Sequence, residues 1–238
     1  MTTNQNGVRV SRAKFVITGR RSESPRAKGR VALTRTDIVR AGAQLLDSEG
    51  LDGLSMRKLA SVLGTGPATL YWHVRDKNEL LSLILDDTIR TVQIPQPGAW
   101  DECLHEVLSA SRQVLLPRPI LVRFIWEAGW NIGTETLRVA DALTALVAAS
   151  GLPADEVADA YFALITYLFG FVLAETSSQH ASFGAAGEHD AERYPSLLRY
   201  GPATDQEGMD RRFEYGVTMI LDGVKGRVAQ RPTDAGRR

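Results

Sequence analysis

Thr69, Tyr71, Trp72 and His73 crowd one short stretch of this sequence, with Arg57 upstream and Lys77 just downstream. The chemistry these side chains share is recognition, not bond-making. A threonine offers a hydroxyl and a methyl, suited to a phosphate, a base edge or a thymine methyl. A tyrosine phenol donates to phosphate, a histidine to phosphate or base edge, and a tryptophan adds flat apolar contact and an N–H. Arg57 can reach a base edge or the backbone. Lys77 stands where a helix start and an ammonium together favour a phosphate. Singly, each residue has a duller role: a core tryptophan, a surface histidine, a solvated lysine. Together on a short helix, rings with polar tips in succession cannot all face inward.

The elements that position them are legible. Ser55 can cap a helix, with Leu54 and Leu59 placed as a hydrophobic staple. Gly64-Thr65-Gly66 breaks that helix, and Pro67 opens the next at its first position, where a missing N–H is harmless. Leu59, Val62, Leu63, Leu70 and Val74 can form the shared core of a helix-turn-helix, whose second helix, about seven residues long, lies in the major groove. Upstream, Thr34 and Asp37 mark a helix start and Gly50 its end. Asp76 and Glu79 form a capping-box pair for a fourth helix over about 77–91.

The net charge of zero hides an asymmetry: residues 1–30 sum to +7 and residues 92–224 to −10. A basic head end on an acidic body suits a polyanion at one end only. The composition of 1–30 predicts a disordered arm, compatible with ordering on the DNA minor groove. The one cysteine, Cys103, excludes an internal disulfide framework. No secretory signal is visible, and the apolar run Ala160–Ala174 is shorter than the ~20 residues a bilayer needs, so a core helix and a cytoplasmic protein are expected.

Beyond the turn-rich joint Ile94-Pro-Gln-Pro-Gly98, only helical patterns occur: about Trp100–Leu116, Ile120–Trp130, Glu135–Ser150, Pro153–Ser178 and Gln206–Val228. A glycine- and histidine-rich stretch over 179–204 predicts a mobile loop with a helical turn near Ser196–Arg199. The expected fold is all-α, divided into an arm (1–30), a helix-turn-helix head with its linking helix (31–91), a helical body (92–230) and a tail (231–238).

Thr69-Leu-Tyr-Trp-His-Val74 followed by Arg75-Asp-Lys77 resembles the recognition helix and helix-four start of the tetracycline-repressor family, and Gly53 to Gly64 resembles its second helix. The resemblance covers 34–90 strongly and extends more weakly through Ala160–Glu175 and Phe213–Gly223. It implies operator contacts from Arg57, Thr69, Tyr71, Trp72, His73 and Lys77, with Pro67 and Ala68 at the helix tip beside the bases. It also implies a four-helix dimer interface from the long body helix and the last helix. An almost wholly apolar long helix agrees, since it needs cover on more than one side, and Gly170, Gly216 and Gly223 would permit close approach.

The resemblance further implies an effector pocket, with Phe124, Trp126, Trp130, Tyr161, Phe162, Tyr167 and Phe169 as candidate lining. Their rings suit a hydrophobic or aromatic small molecule. The joint after helix four and the segment Leu115–Trp126 lack histidine, so neither tetracycline nor a metal-bound ligand is expected, and no cofactor. The expected protein is a homodimeric repressor of a palindromic double-stranded operator, released by a small molecule, with no membrane partner. An activator of the same fold is the alternative. An enzyme lacks support, because no nucleophile elbow, phosphate loop or carboxylate–histidine set occurs. A sensor whose head binds protein would differ by lacking a steep salt dependence on duplex DNA.

Overall fold

The computed structural model describes residues 33–95, 98–128, 132–177, 195–200 and 206–230. The arm 1–30, Trp130, most of the stretch 179–204 and the tail 231–238 therefore lie outside the described residues.

Helix α1 (Arg35–Gly53) starts on a reciprocal capping box: Thr34 accepts from the Asp37 amide and Asp37 from the Thr34 amide. Gly50, at φ 69° and ψ −169°, interrupts its regular turns, and a short continuation reaches Gly53. The head continues with α2 (Met56–Val62), α3 (Pro67–Tyr71) and α4 (Lys77–Ile89). Ile38, Leu54, Leu59, Leu70, Val74, Leu80, Ile84 and Leu85 are buried to 1% exposure or less and form its core. The expectation for Val62 fails: it is 56% exposed. It occupies the last residue of a seven-residue helix, past the line along which α3 packs.

The body comprises α5 (Trp100–Leu115), α6 (Pro119–Ala128), α7 (Thr134–Ala149), α8 (Ala154–Thr176), α9 (Pro195–Tyr200) and α10 (Gln206–Ala229). All regular structure among the described residues is helical, and the described residues from Thr34 onward fall in one unit. Helices α4, α5 and α8 pack on α7, and α10 packs on α8 and α5.

A buried ion cluster holds the far side of the body together. Arg112 donates to Glu175 at 2.7 and 2.8 Å and to Asp210 at 2.6 Å, joining α5, α8 and α10. Its guanidinium lies 4.9 Å from the Phe213 ring centre, a favourable cation–π placement. Tyr167 completes this seam, its hydroxyl donating to the carbonyls of Arg212 and Phe213. The phenol lies against Gly216, where a Cβ would collide with it. Gly216 thus serves packing inside the chain, whereas Gly170 and Gly223 face open space.

Helix α8 is long and apolar enough to cross a membrane by length and composition, yet only 22% of its most apolar stretch is buried within the chain. Ala163, Thr166, Gly170 and Ala174 form an exposed stripe along it. On α10, Tyr215 and Met219 are 68% and 57% exposed.

Candidate nucleic-acid interface and body cavity

The turn between α2 and α3 is closed by its own backbone. Gly64, at φ 61°, donates to the Ser61 carbonyl at 3.1 Å, and Thr65 donates to Ala60 at 3.0 Å. These two bonds make a Schellman motif, which a glycine at the left-handed position permits without strain. Leu70 and Val74 anchor α3 inward. The remaining residues of α3 then face out: Pro67, Ala68 and Thr69 are exposed, and Tyr71 is 50% and Trp72 89% exposed. His73 is half-buried just beyond. Helix α3 is shorter than its pattern suggested, ending at Tyr71 with Trp72 as its cap residue.

The head's cations are mostly committed. Arg35 and Arg75 both hold Glu79, Arg40 pairs with Asp37, Lys58 with Glu49 and Arg90 with Asp87. Glu79 also accepts from the Arg75 amide at 2.8 Å. The expected capping box at α4 is therefore half made: Asp76 accepts from the Glu79 amide, but the Glu79 carboxylate turns to Arg75. Lys77 donates to the Leu51 carbonyl at 2.6 Å, so its ammonium is shared with the end of α1. Among the described residues of the head, Arg57 is the cation with neither a carboxylate nor a carbonyl partner, and it is exposed on α2.

Below the head lies a cavity of about 280 Å³ between α4, α5, α6, α7 and α8. Of the expected pocket residues, Trp126, Tyr161, Phe162 and Phe169 line it. Trp126 stands edge-on to Phe162 and Phe169, at 6.3 and 5.9 Å between ring centres. Two expectations need correction. Phe124 is buried off the cavity, because two residues of helix turn it nearly opposite Trp126 around α6. Tyr167 belongs to the α8–α10 seam, stacked on Phe213 at 5.8 Å. Counting rings along α8 does not say which side each ring takes.

The polar wall residues Ser111 and Thr136 were not anticipated. Ser111 is 2% exposed on the apolar stripe of α5, and that placement was the available signal. Its hydroxyl donates to the Val107 carbonyl at 2.7 Å. Thr136 belongs to the cap of α7. Its amide and hydroxyl donate to Asp86 of α4 at 2.9 and 3.2 Å. That carboxylate occupies the space of a Cβ at Gly133. Burial raises the Tyr161 phenol above its ordinary pKa, so it stays protonated.

Two joints connect this body to the head. Besides the Asp86–Thr136 cap, Arg118 donates to both Asp47 oxygens of α1 at 2.6 and 2.8 Å and to Thr88 of α4 at 3.0 Å. The Arg118 guanidinium holds the Asp47 carboxyl below its usual range. Arg138 of α7 adds a bond to the Val92 carbonyl at 3.0 Å, just past α4.

An outward-facing helix on a locked helix-turn-helix, carried by a helix that also walls a body cavity, defines a DNA-binding transcriptional regulator with a ligand-binding body. The chain belongs to the tetracycline-repressor (TetR) family. Residues 38–84 match the family described as bacterial regulatory proteins, tetR family, and residues 94–228 match the tetracyclin repressor-like C-terminal domain. The HTH-type transcriptional repressor DrrR1 of Streptomyces coeruleorubidus is 30% identical, over 90% of this chain and 84% of its own length. The class A tetracycline repressor from Escherichia coli is 30% identical, over 84% of this chain and 95% of its own. The TetR-family protein ActR of Streptomyces coelicolor, solved in complex with actinorhodin, has a TM-score of 0.73 at 30% identity. That match covers 84% of this chain and 99% of ActR.

Proposed function

We propose that this chain is a cytoplasmic, homodimeric repressor that holds a palindromic operator with paired α3 helices and lets go when a small molecule fills the body cavity. The head is residues 31–91 and the body 92–230. The observation that carries the DNA reading is Trp72, 89% exposed at the end of a helix whose other face is fully anchored. A ring left in water on so rigid a mount is suited to contact with a partner. Thr69, Tyr71 and His73 surround it, Pro67 and Ala68 form the tip, and Arg57 brings uncommitted donors for a phosphate or a base edge. Lys77 contributes through the donors left after its bond to Leu51. The names of DrrR1 and the class A protein, both repressors, favour repression over activation.

Release follows from where the cavity lies. Ile89 of α4 is part of its wall, and Asp86, one turn earlier, is bonded to the wall residue Thr136. A ligand that spreads the walls moves α4, and α4 carries the head. Two recognition helices must sit about one DNA turn apart, so a change in α4 alters their spacing and lowers operator affinity.

The test uses DNA from upstream of the protein's own gene. Trp72→Ala with His73→Ala should abolish sequence-specific binding in an anisotropy titration while circular dichroism and dimer mass stay unchanged. Retained affinity overturns the DNA assignment.

A further inference from the structure

Resting on the reading of the cavity as an effector site, we propose that its effector is an uncharged, flat aromatic molecule bearing hydroxyl or carbonyl groups. The same walls discriminate against an anion of equal shape.

The wall chemistry carries this. Among the described residues, the lining holds no charged side chain. The cations beside lining residues in sequence are spent elsewhere. Arg112, next to Ser111, is held by Glu175 and Asp210, and Arg138, next to Val139, by Glu135 and the Val92 carbonyl. Behind Thr136 sits the Asp86 carboxylate, which adds a negative field. An anion entering here loses its water and gains no cation, a transfer that costs far more than that of a neutral polar group.

The shape is set by rings. Trp126 stands edge-on to both Phe162 and Phe169, and an inserted flat ring would meet their faces and edges in favourable geometry. About 280 Å³ is near the lower end of ligand pockets, so the molecule is compact. Orientation comes from hydroxyls. The Tyr161 phenol has no hydrogen-bond partner among the described residues and remains a donor. Ser111 and Thr136 spend their protons on Val107 and Asp86 and present lone pairs. A ligand carbonyl or hydroxyl oxygen would thus accept from Tyr161, and the proton of a ligand hydroxyl would go to Ser111 or Thr136.

Calorimetry on the full-length dimer with three probes tests this: anthracene-9-methanol, 9-methylanthracene and anthracene-9-carboxylate at pH 7.5. The alcohol should bind about tenfold or more tighter than the carboxylate. Tyr161→Phe should weaken the alcohol about threefold or more and leave 9-methylanthracene unchanged, which a purely structural role of Tyr161 would not do. Equal or tighter binding of the carboxylate, or failure of both neutral probes to bind, overturns the proposal. So does equal weakening of the alcohol and 9-methylanthracene in Tyr161→Phe. Each probe is also titrated against the operator complex. Operator release by the carboxylate alone would sink the ligand class and leave the regulator reading standing.

Discussion

At the scale of single residues, Arg112 is the side chain on which most depends. It is 3% exposed, its partner Glu175 is 5% exposed, and its guanidinium lies over the rings of Phe171 and Phe213. Removing one member of such a cluster leaves a buried charge unmatched. Arg112→Met should therefore destabilise the protein by about 3–5 kcal/mol in denaturant unfolding. Gly50 is a second such point. Its φ of 69° with ψ near 180° lies in a region essentially closed to other residues. Gly50→Ala should destabilise by about 1–3 kcal/mol although nothing would touch the new methyl, and thermal unfolding measures it.

At the scale of elements, the helices were legible where a boundary had a local cause. Thr34 and Asp37, Ser55, Gly64 and Asp76 each act within a few residues of themselves, so sequence alone places those starts and stops. The recognition surface was legible for the same reason: Leu70 and Val74 fix which way α3 turns. Helical period alone misassigned Val62, because a seven-residue helix has room for few packed positions. The cavity was only partly legible, since a void depends on how five helices meet. The joints were hidden altogether, because Asp86–Thr136 and Asp47–Arg118 link residues 50 and 71 apart. Arg118 sits between Pro117 and Pro119, with Leu115 of α5 and Trp126 of α6 in the cavity wall on either side. Arg118→Met should leave anthracene-9-methanol affinity within about twofold and shrink that ligand's effect on operator binding, read by paired titrations. The joint also fixes a pH response. Asp47 has a lowered pKa in the folded state, so its contribution is full above the ordinary carboxylate range and fades as pH falls through the lower folded value. The melting-temperature gap between the native chain and Asp47→Asn should stay constant from about pH 5 to 8 and close below about pH 4.

At the scale of the whole molecule, charge and cover remain to be supplied from outside the single chain. The head's cations are largely neutralised by its own acids, so the basic residues of 1–30 are the natural source of non-specific attraction. Deleting them should lower operator affinity and flatten its salt slope in anisotropy at several salt concentrations. The exposed stripes on α8 and α10 call for a second copy. Tyr215→Glu with Met219→Glu should give monomers by light scattering and lose operator binding, while thermal unfolding of the head persists. The uncovered face of α8 also has a genetic consequence. If a protomer must find another to hide that apolar flank, newly made chains pair with whichever copies are at hand, functional or not. An allele with an intact body and a crippled α3 would then capture normal partners into dimers with one working head. In a cell carrying both alleles, the defective one should be dominant and derepress the target gene. An allele whose body cannot fold should be recessive.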